Sequence, residues 1–261
     1  MTTWCLLPTL ILYALASFLY LVLVFNLNFS LEKRKRFWME DVALFATTAG
    51  FFFHLIYLLY EHSWNHFLSV QSCALVLLYL WMVWRSGWQS LGSFFLPLAL
   101  IFLLLSLQQT EKTSAWMVLW SGHAWFLKFH IVCAGVAMLF ISGSFLLGIA
   151  FFLQERGLKL KKWNLLSLGL PPLLLNEKIA RFWLRFGFVF LTLVLMTGVV
   201  LLRNFSFSFK PVFHVFLALI SWTFYAFALN RRWTWFGGRK ILLLSFLGFV
   251  SLTTTFLWNS L

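Results

Sequence analysis

Long apolar stretches alternate with short polar or charged ones along the whole chain, and no remaining segment is long enough to bury a soluble core. A membrane-crossing helix needs about 20 mostly apolar residues, and eight stretches meet or approach that length: Leu6–Phe25, Val42–Tyr60, Leu68–Trp84, Leu91–Leu107, Phe126–Leu153, Phe186–Leu202, Val212–Leu229 and Ile241–Trp258. Trp and Tyr gather near their ends, at Trp4, Trp38, Tyr60, Trp64, Trp81, Trp84, Trp88 and Trp258, as interfacial belts do. The pattern predicts an all-α polytopic membrane bundle of eight helices, with residues 1–261 forming one integral membrane domain. The first stretch is too long and too lightly flanked for a cleaved signal and reads as a retained helix.

Composition agrees. Of 261 residues, 62% are hydrophobic and only 10% charged, against about 45–50% and about 25% in soluble domains. The net charge of +13 raises the thought of nucleic acid, but the positions of the cations remove it. Sixteen of the twenty Lys and Arg residues fall in alternate connections: Lys33–Arg36, Arg85, seven residues between Arg156 and Arg185, and Arg231, Arg232, Arg239 and Lys240. Basic connections stay on the cytoplasmic side. Both termini are therefore expected outside, and an even number of helices puts them on the same side, as this requires. The longest inner connection, Gln154–Leu184, contains Pro171 and Pro172, which disfavour a continuous helix. Its segment Leu165–Leu175 is expected to lie at the membrane surface.

Catalytic motifs are scarce. Cys5, Cys73 and Cys133 form no close pair, so no CxxC redox or metal motif exists. There is no Walker A, HExxH or GxSxG pattern, and the seven acids sit near helix ends or in loops. This removes hydrolase and NTPase readings and an intramembrane carboxylate pump.

The histidines carry more information. On the expected topology His54, His62, His66, His123, His130 and His214 all fall on the outer side or in the outer half of the membrane. Imidazole ligates transition metals and haem iron. It also serves as an interhelical hydrogen-bonding group or an interfacial one, and both readings stand for each residue. His130, His54 and His214 are the candidate metal and cofactor ligands. Trp125, Phe126, Phe129, Phe213 and Trp222 could line an apolar slot, with Lys128 or Arg203 facing an anionic group of whatever it holds. In a chain with 21% aromatics, such residues are also simply core or lipid-facing.

Several stretches of the second half resemble the cytochrome c assembly family of membrane proteins, of the CcsA/HemX type. His130 opens a long helix that closes on Leu153-Gln154-Glu155-Arg156. Pro171-Pro172-Leu173 precedes the run Leu191–Gly198. Trp222 and Tyr225 are similar to a family Trp-x-x-Tyr pattern. Trp235, Gly237 and Arg239 resemble a Gly-Trp-x-Gly-x-Arg turn in which Thr234 replaces the first Gly, and Leu247–Val250 follows. The likeness covers about half the chain, best over residues 128–258. The family's larger branch has a tryptophan-rich outer loop and later histidines. Here the corresponding loop is only Arg203–Lys210, Asn230 ends the seventh helix, and the chain finishes Asn259-Ser260-Leu261. The resemblance is therefore closer to the shorter HemX-like branch.

The resemblance implies a bacterial inner membrane, haem as cofactor or cargo, and His130 as the haem-contacting residue, without covalent catalysis of the chain's own. The implied partners are membrane lipid and proteins of cytochrome c biogenesis or haem synthesis, with no nucleic acid. Two alternatives stay open. One is a regulator or scaffold that binds a cytosolic haem-synthesis enzyme through the basic inner loops. The other is a permease for a small solute, with Gly135, Ser142, Gly143, Ser144 and Gly148 interrupting the fifth helix.

Overall fold

A computed structural model describes residues 4–25, 33–60, 67–107, 125–160, 170–202, 209–230 and 238–258. All regular structure among these residues is helical. The order is α1 (Leu6–Phe25), α2 (Lys33–Tyr60), α3 (Phe67–Ser86), a short 3₁₀ turn (Gln89–Leu91), α4 (Gly92–Ser106), α5 (Trp125–Lys159), α6 (Leu173–Leu202), α7 (Phe209–Leu229) and α8 (Gly238–Trp258). Six of the helical stretches are long and apolar enough to cross a membrane by length and composition. In α7 and α8 the apolar stretches are shorter, Phe213–Leu229 and Leu243–Thr255.

Helix is the economical state for such a chain because it satisfies every backbone group within the segment. The few polar side chains follow the same rule. Thr9, Thr47, Thr48, Thr192, Thr223, Thr253, Thr254 and Thr255 each donate to the carbonyl four residues earlier, at 2.8–3.0 Å. A hydroxyl that closes on its own helix needs no water.

Three helices run further than hydrophobicity alone suggests. α2 starts at Lys33 rather than Val42, α5 continues past Leu153 to Lys159, and α6 starts at Leu173 rather than Phe186. The described parts of the expected inner connection Gln154–Leu184 are thus largely helix. Ion pairs four residues apart support each extension: Arg36–Glu40 at 3.1 Å in α2, Lys159–Glu155 in α5 and Arg181–Glu177 in α6. The two prolines mark a boundary as expected, but they stand directly before a helix. Pro171 and Pro172 precede the first residue of α6, a position where a missing N–H costs nothing. The rest of the expected surface segment, residues 165–169, lies outside the described residues.

The chain forms two compact units. The first holds residues 1–108 and 153–173. Here α1 packs on α2 and α4, and α3 on α2 and α4, a ring of four helices. Its core is built around Tyr13, Tyr20, Tyr79, Phe95 and Phe102, all nearly inaccessible. Ser72 donates to the Ala99 carbonyl at 2.7 Å and Tyr79 to the Gln89 carbonyl at 2.9 Å, tying α3 to α4 and to the turn before it. In the same unit Gln154 donates to the Pro171 carbonyl at 2.9 Å, which pins the end of α5 to the lead-in of α6.

The second unit holds residues 109–152 and 174–261 and also joins four helices. α5 and α6 run antiparallel: His130 meets Thr197, Phe140 meets Trp183, and Ser144 donates to the Ala180 carbonyl at 2.7 Å. α6 meets α7 where Phe188 stacks on Trp222, with centroids 5.4 Å apart. α7 packs on α8, and Phe145 of α5 stacks on Phe249 of α8 at 4.7 Å. Two glycines set these spacings. A Cβ on Gly187 would lie 2.7 Å from the Ile141 side chain and 3.2 Å from its backbone nitrogen, and one on Gly248 would lie 2.8 Å from the Tyr225 ring. α5 passes through Gly135, Ser142, Gly143, Ser144 and Gly148 as unbroken helix, so these small residues admit neighbours rather than interrupt the helix.

Candidate functional site

His130 lies in the second turn of α5, half-buried, and its Nδ1 is 2.7 Å from Thr197 Oγ1 near the end of α6. The direction of this bond decides the chemistry of the ring. Thr197 Oγ1 is also 2.7 Å from the Leu193 carbonyl and 3.1 Å from that of Val194. A carbonyl only accepts, so the single hydroxyl proton goes to the backbone. Oγ1 then turns a lone pair to Nδ1, and the ring donates from Nδ1–H. Assigned from this network, the neutral tautomer keeps its lone pair on Nε2.

The same device recurs one and a half turns earlier on α6, where its direction is forced. Thr192 donates to the Phe188 carbonyl at 2.8 Å and accepts from Trp222 Nε1 at 3.0 Å. An indole N–H can only donate. Two threonines of the run Leu191–Gly198 therefore each spend their proton on their own helix and offer oxygen to a neighbouring one. Gly198 completes the setting: a Cβ there would meet only His130 Cε1, at 3.5 Å.

A ring so held could serve as a ligand to haem iron through Nε2. Haem asks for one or two protein ligands and apolar surroundings. A ligating imidazole ordinarily donates its other N–H to a fixed oxygen, which sets ring orientation and raises basicity. The turns that carry His130 and Thr197 also expose Phe126, Phe129, Met196 and Val199. Among the described residues, no group of three or more His, Cys, Asp or Glu gathers as a metal cage would require.

The other candidates are differently placed. His54, in α2 of the first unit, is wholly buried. Its Nδ1 lies 3.3 Å from Tyr13 Oη of α1 and its Nε2 3.1 Å from Ser69 Oγ of α3. Both nitrogens thus join three helices. His214, half-buried in α7, belongs to the same unit as His130. His62, His66, His123 and Arg203 lie outside the described residues.

Of the aromatics expected to line a slot, Trp125 is exposed, and Lys128 Nζ stands 5.6 Å from its ring centroid. Trp222 faces α6 instead. Its neighbour in the motif, Tyr225, is buried and donates to the Ser245 carbonyl at 3.4 Å. The Trp-x-x-Tyr pair thus secures α7 to both neighbours. Thr197 was visible in the sequence only as part of a leucine–threonine run. Its partner is 67 residues away, so no local pattern could have marked it as the residue that orients His130.

The model of the family described as cytochrome C assembly protein matches residues 64–261, about three quarters of the chain. No curated protein and no solved structure matches it. The matched segment contains His130, Thr197, Trp222 and Tyr225. On that coverage, the chain belongs to the cytochrome c assembly protein family.

Proposed function

We propose that this chain handles haem at the outer side of a bacterial inner membrane, in cytochrome c biogenesis or haem-pathway control, with His130 meeting the iron through Nε2. The observation that carries this reading is the relay from His130 Nδ1–H to Thr197 Oγ1 and on to the Leu193 carbonyl. It gives one imidazole a defined tautomer with its lone pair on the far nitrogen, which a purely structural histidine does not need. Haem would supply the redox-active or transferable iron. The chain's part is to hold the ring, keep Nε2 unprotonated and surround it with apolar side chains. In the same reading His214, from the same unit, would supply a second ligand to the iron.

The topology belongs to this proposal. α7 and α8 have 21 residues each, about 31 Å of helix, which matches a hydrocarbon core of about 30 Å. All eight helices would then span, with both termini outside. The short connection at Arg203–Lys210 favours the HemX-like branch.

The test is spectral. Purified protein titrated with haemin should develop a Soret band that is lost or shifted in His130→Ala. The second ligand should declare itself as a further shift in His214→Ala. A wild-type protein that stays colourless with haemin would overturn the reading.

A further inference from the structure

The end of α6 opposite Thr197 carries a feature that haem does not absorb. Over its first five turns α6 divides into two faces. Asn176, Trp183, Leu184 and Leu191 are buried, while Leu174, Leu175, Lys178, Arg181, Phe182, Arg185, Phe186 and Val189 are exposed. At 100° per residue these eight fall within an arc of about 140°, so cations and aromatic rings share one stripe. Arg181 pairs with Glu177. Lys178 and Arg185 enter no ion pair among the described residues.

The position of the stripe along the helix is as telling as its composition. α6 has 30 residues, about 45 Å, some 15 Å more than the hydrocarbon core. If the Leu202 end sits at one boundary, the other falls about 20 residues earlier, at Phe182. Lys178 and Arg181 then lie at the headgroup side of that boundary, Arg185 about one turn deeper, and Phe182 and Phe186 lie beside the upper acyl chain. Arginine reaches back toward the headgroups from a slightly deeper Cα by extending its stem.

We infer that this stripe is a binding site for an anionic phospholipid. The phosphate would be held by Lys178 and Arg185, with Arg181 alongside, and the acyl chain would lie over Phe182 and Phe186. Charge complementarity argues for the occupant: each cation near an anionic surface is worth about 1 kcal/mol. The exposed rings give the site a preference for a lipid over free phosphate. The inference stands whether or not His130 binds haem.

The experiment uses the whole protein, delipidated in a non-ionic detergent, with thermal unfolding followed as lipid is added. Phosphatidylglycerol should raise Tm, and 0.5 M salt should weaken the effect. Phosphatidylcholine and inorganic phosphate should each do little. Removing two cations, in K178Q/R185Q, should weaken phosphatidylglycerol affinity about thirtyfold, while R185K should keep most of it. R156Q, which removes an exposed arginine in the last turn of α5, should change affinity less than about threefold, within one cation's worth. An equal Tm rise from phosphatidylcholine or from phosphate overturns the site. So does wild-type affinity in K178Q/R185Q, or an equal loss in R156Q. Should the double variant fail to fold, the wild-type comparison of the two lipids decides alone.

Discussion

Replacing Thr197 by valine keeps a β-branched side chain of nearly the same shape and removes one oxygen. The perturbation is therefore narrow: the acceptor 2.7 Å from His130 Nδ1 disappears. The helix loses little, because the Leu193 and Val194 carbonyls that took the hydroxyl proton also serve as helix acceptors. A hydrogen bond of this kind contributes about 0.5–1.5 kcal/mol net, and interhelical bonds within membranes average about 0.6 kcal/mol. Thermal unfolding in detergent should thus show only a modest loss. Haemin affinity should fall further, by about 10–100-fold, the range seen when the outer partner of a ligating histidine is removed. Two things go at once: the ring is no longer held in one orientation, and Nε2 becomes free to take the proton that Nδ1 was made to keep.

Haemin titration followed at the Soret band measures the loss. Thr197→Ser keeps the oxygen and should return most of the affinity. In the His130→Ala background Thr197→Val should change residual haemin binding less than about twofold, since coupled residues do not act additively. A valine variant that binds haemin as tightly as wild type, with an unchanged band, would refute the argument. So would a serine variant no better than valine.

Other consequences can be measured on the same protein. His54→Ala should lower thermal stability by about 1–3 kcal/mol by leaving Tyr13 and Ser69 without their partner inside the bundle, and haemin affinity per folded molecule should stay near wild type; unchanged stability would contradict its role in joining three helices. Gly187→Ala and Gly248→Ala each push a Cβ to within 2.8 Å of a neighbouring side chain, so each should cost about 1–3 kcal/mol, and a Tm equal to wild type in both would contradict the close approach of these helices. In a background without Cys5, Cys73 and Cys133, a cysteine at Ser206 should react with an impermeant thiol reagent added to intact cells, and one at Thr234 only after permeabilisation; the reverse pattern would invert the topology.

The length of apolar runs alone marked where helices lie: among the described residues a helix covers each of the eight predicted stretches, because a long lipid-compatible run has no stable alternative to helix. It misjudged three helix ends, at Lys33, Lys159 and Leu173, for one reason. Hydrophobicity reports where lipid begins, whereas helices stop where hydrogen bonding and ion pairs such as Glu177–Arg181 cease to support them. The histidine candidates were equally legible as residues and equally silent as to role. His54 and His130 look alike along the chain: each is one polar ring in an apolar helix. What separates them is who stands opposite. Tyr13 and Ser69 occupy both nitrogens of the first, and Thr197 takes only Nδ1 of the second. That difference is made by contacts between helices through residues 15 to 67 positions apart in the chain. Side-chain chemistry is written in the sequence, but the tautomer and reach of an imidazole depend on its neighbours in space, and only the tertiary structure chooses those.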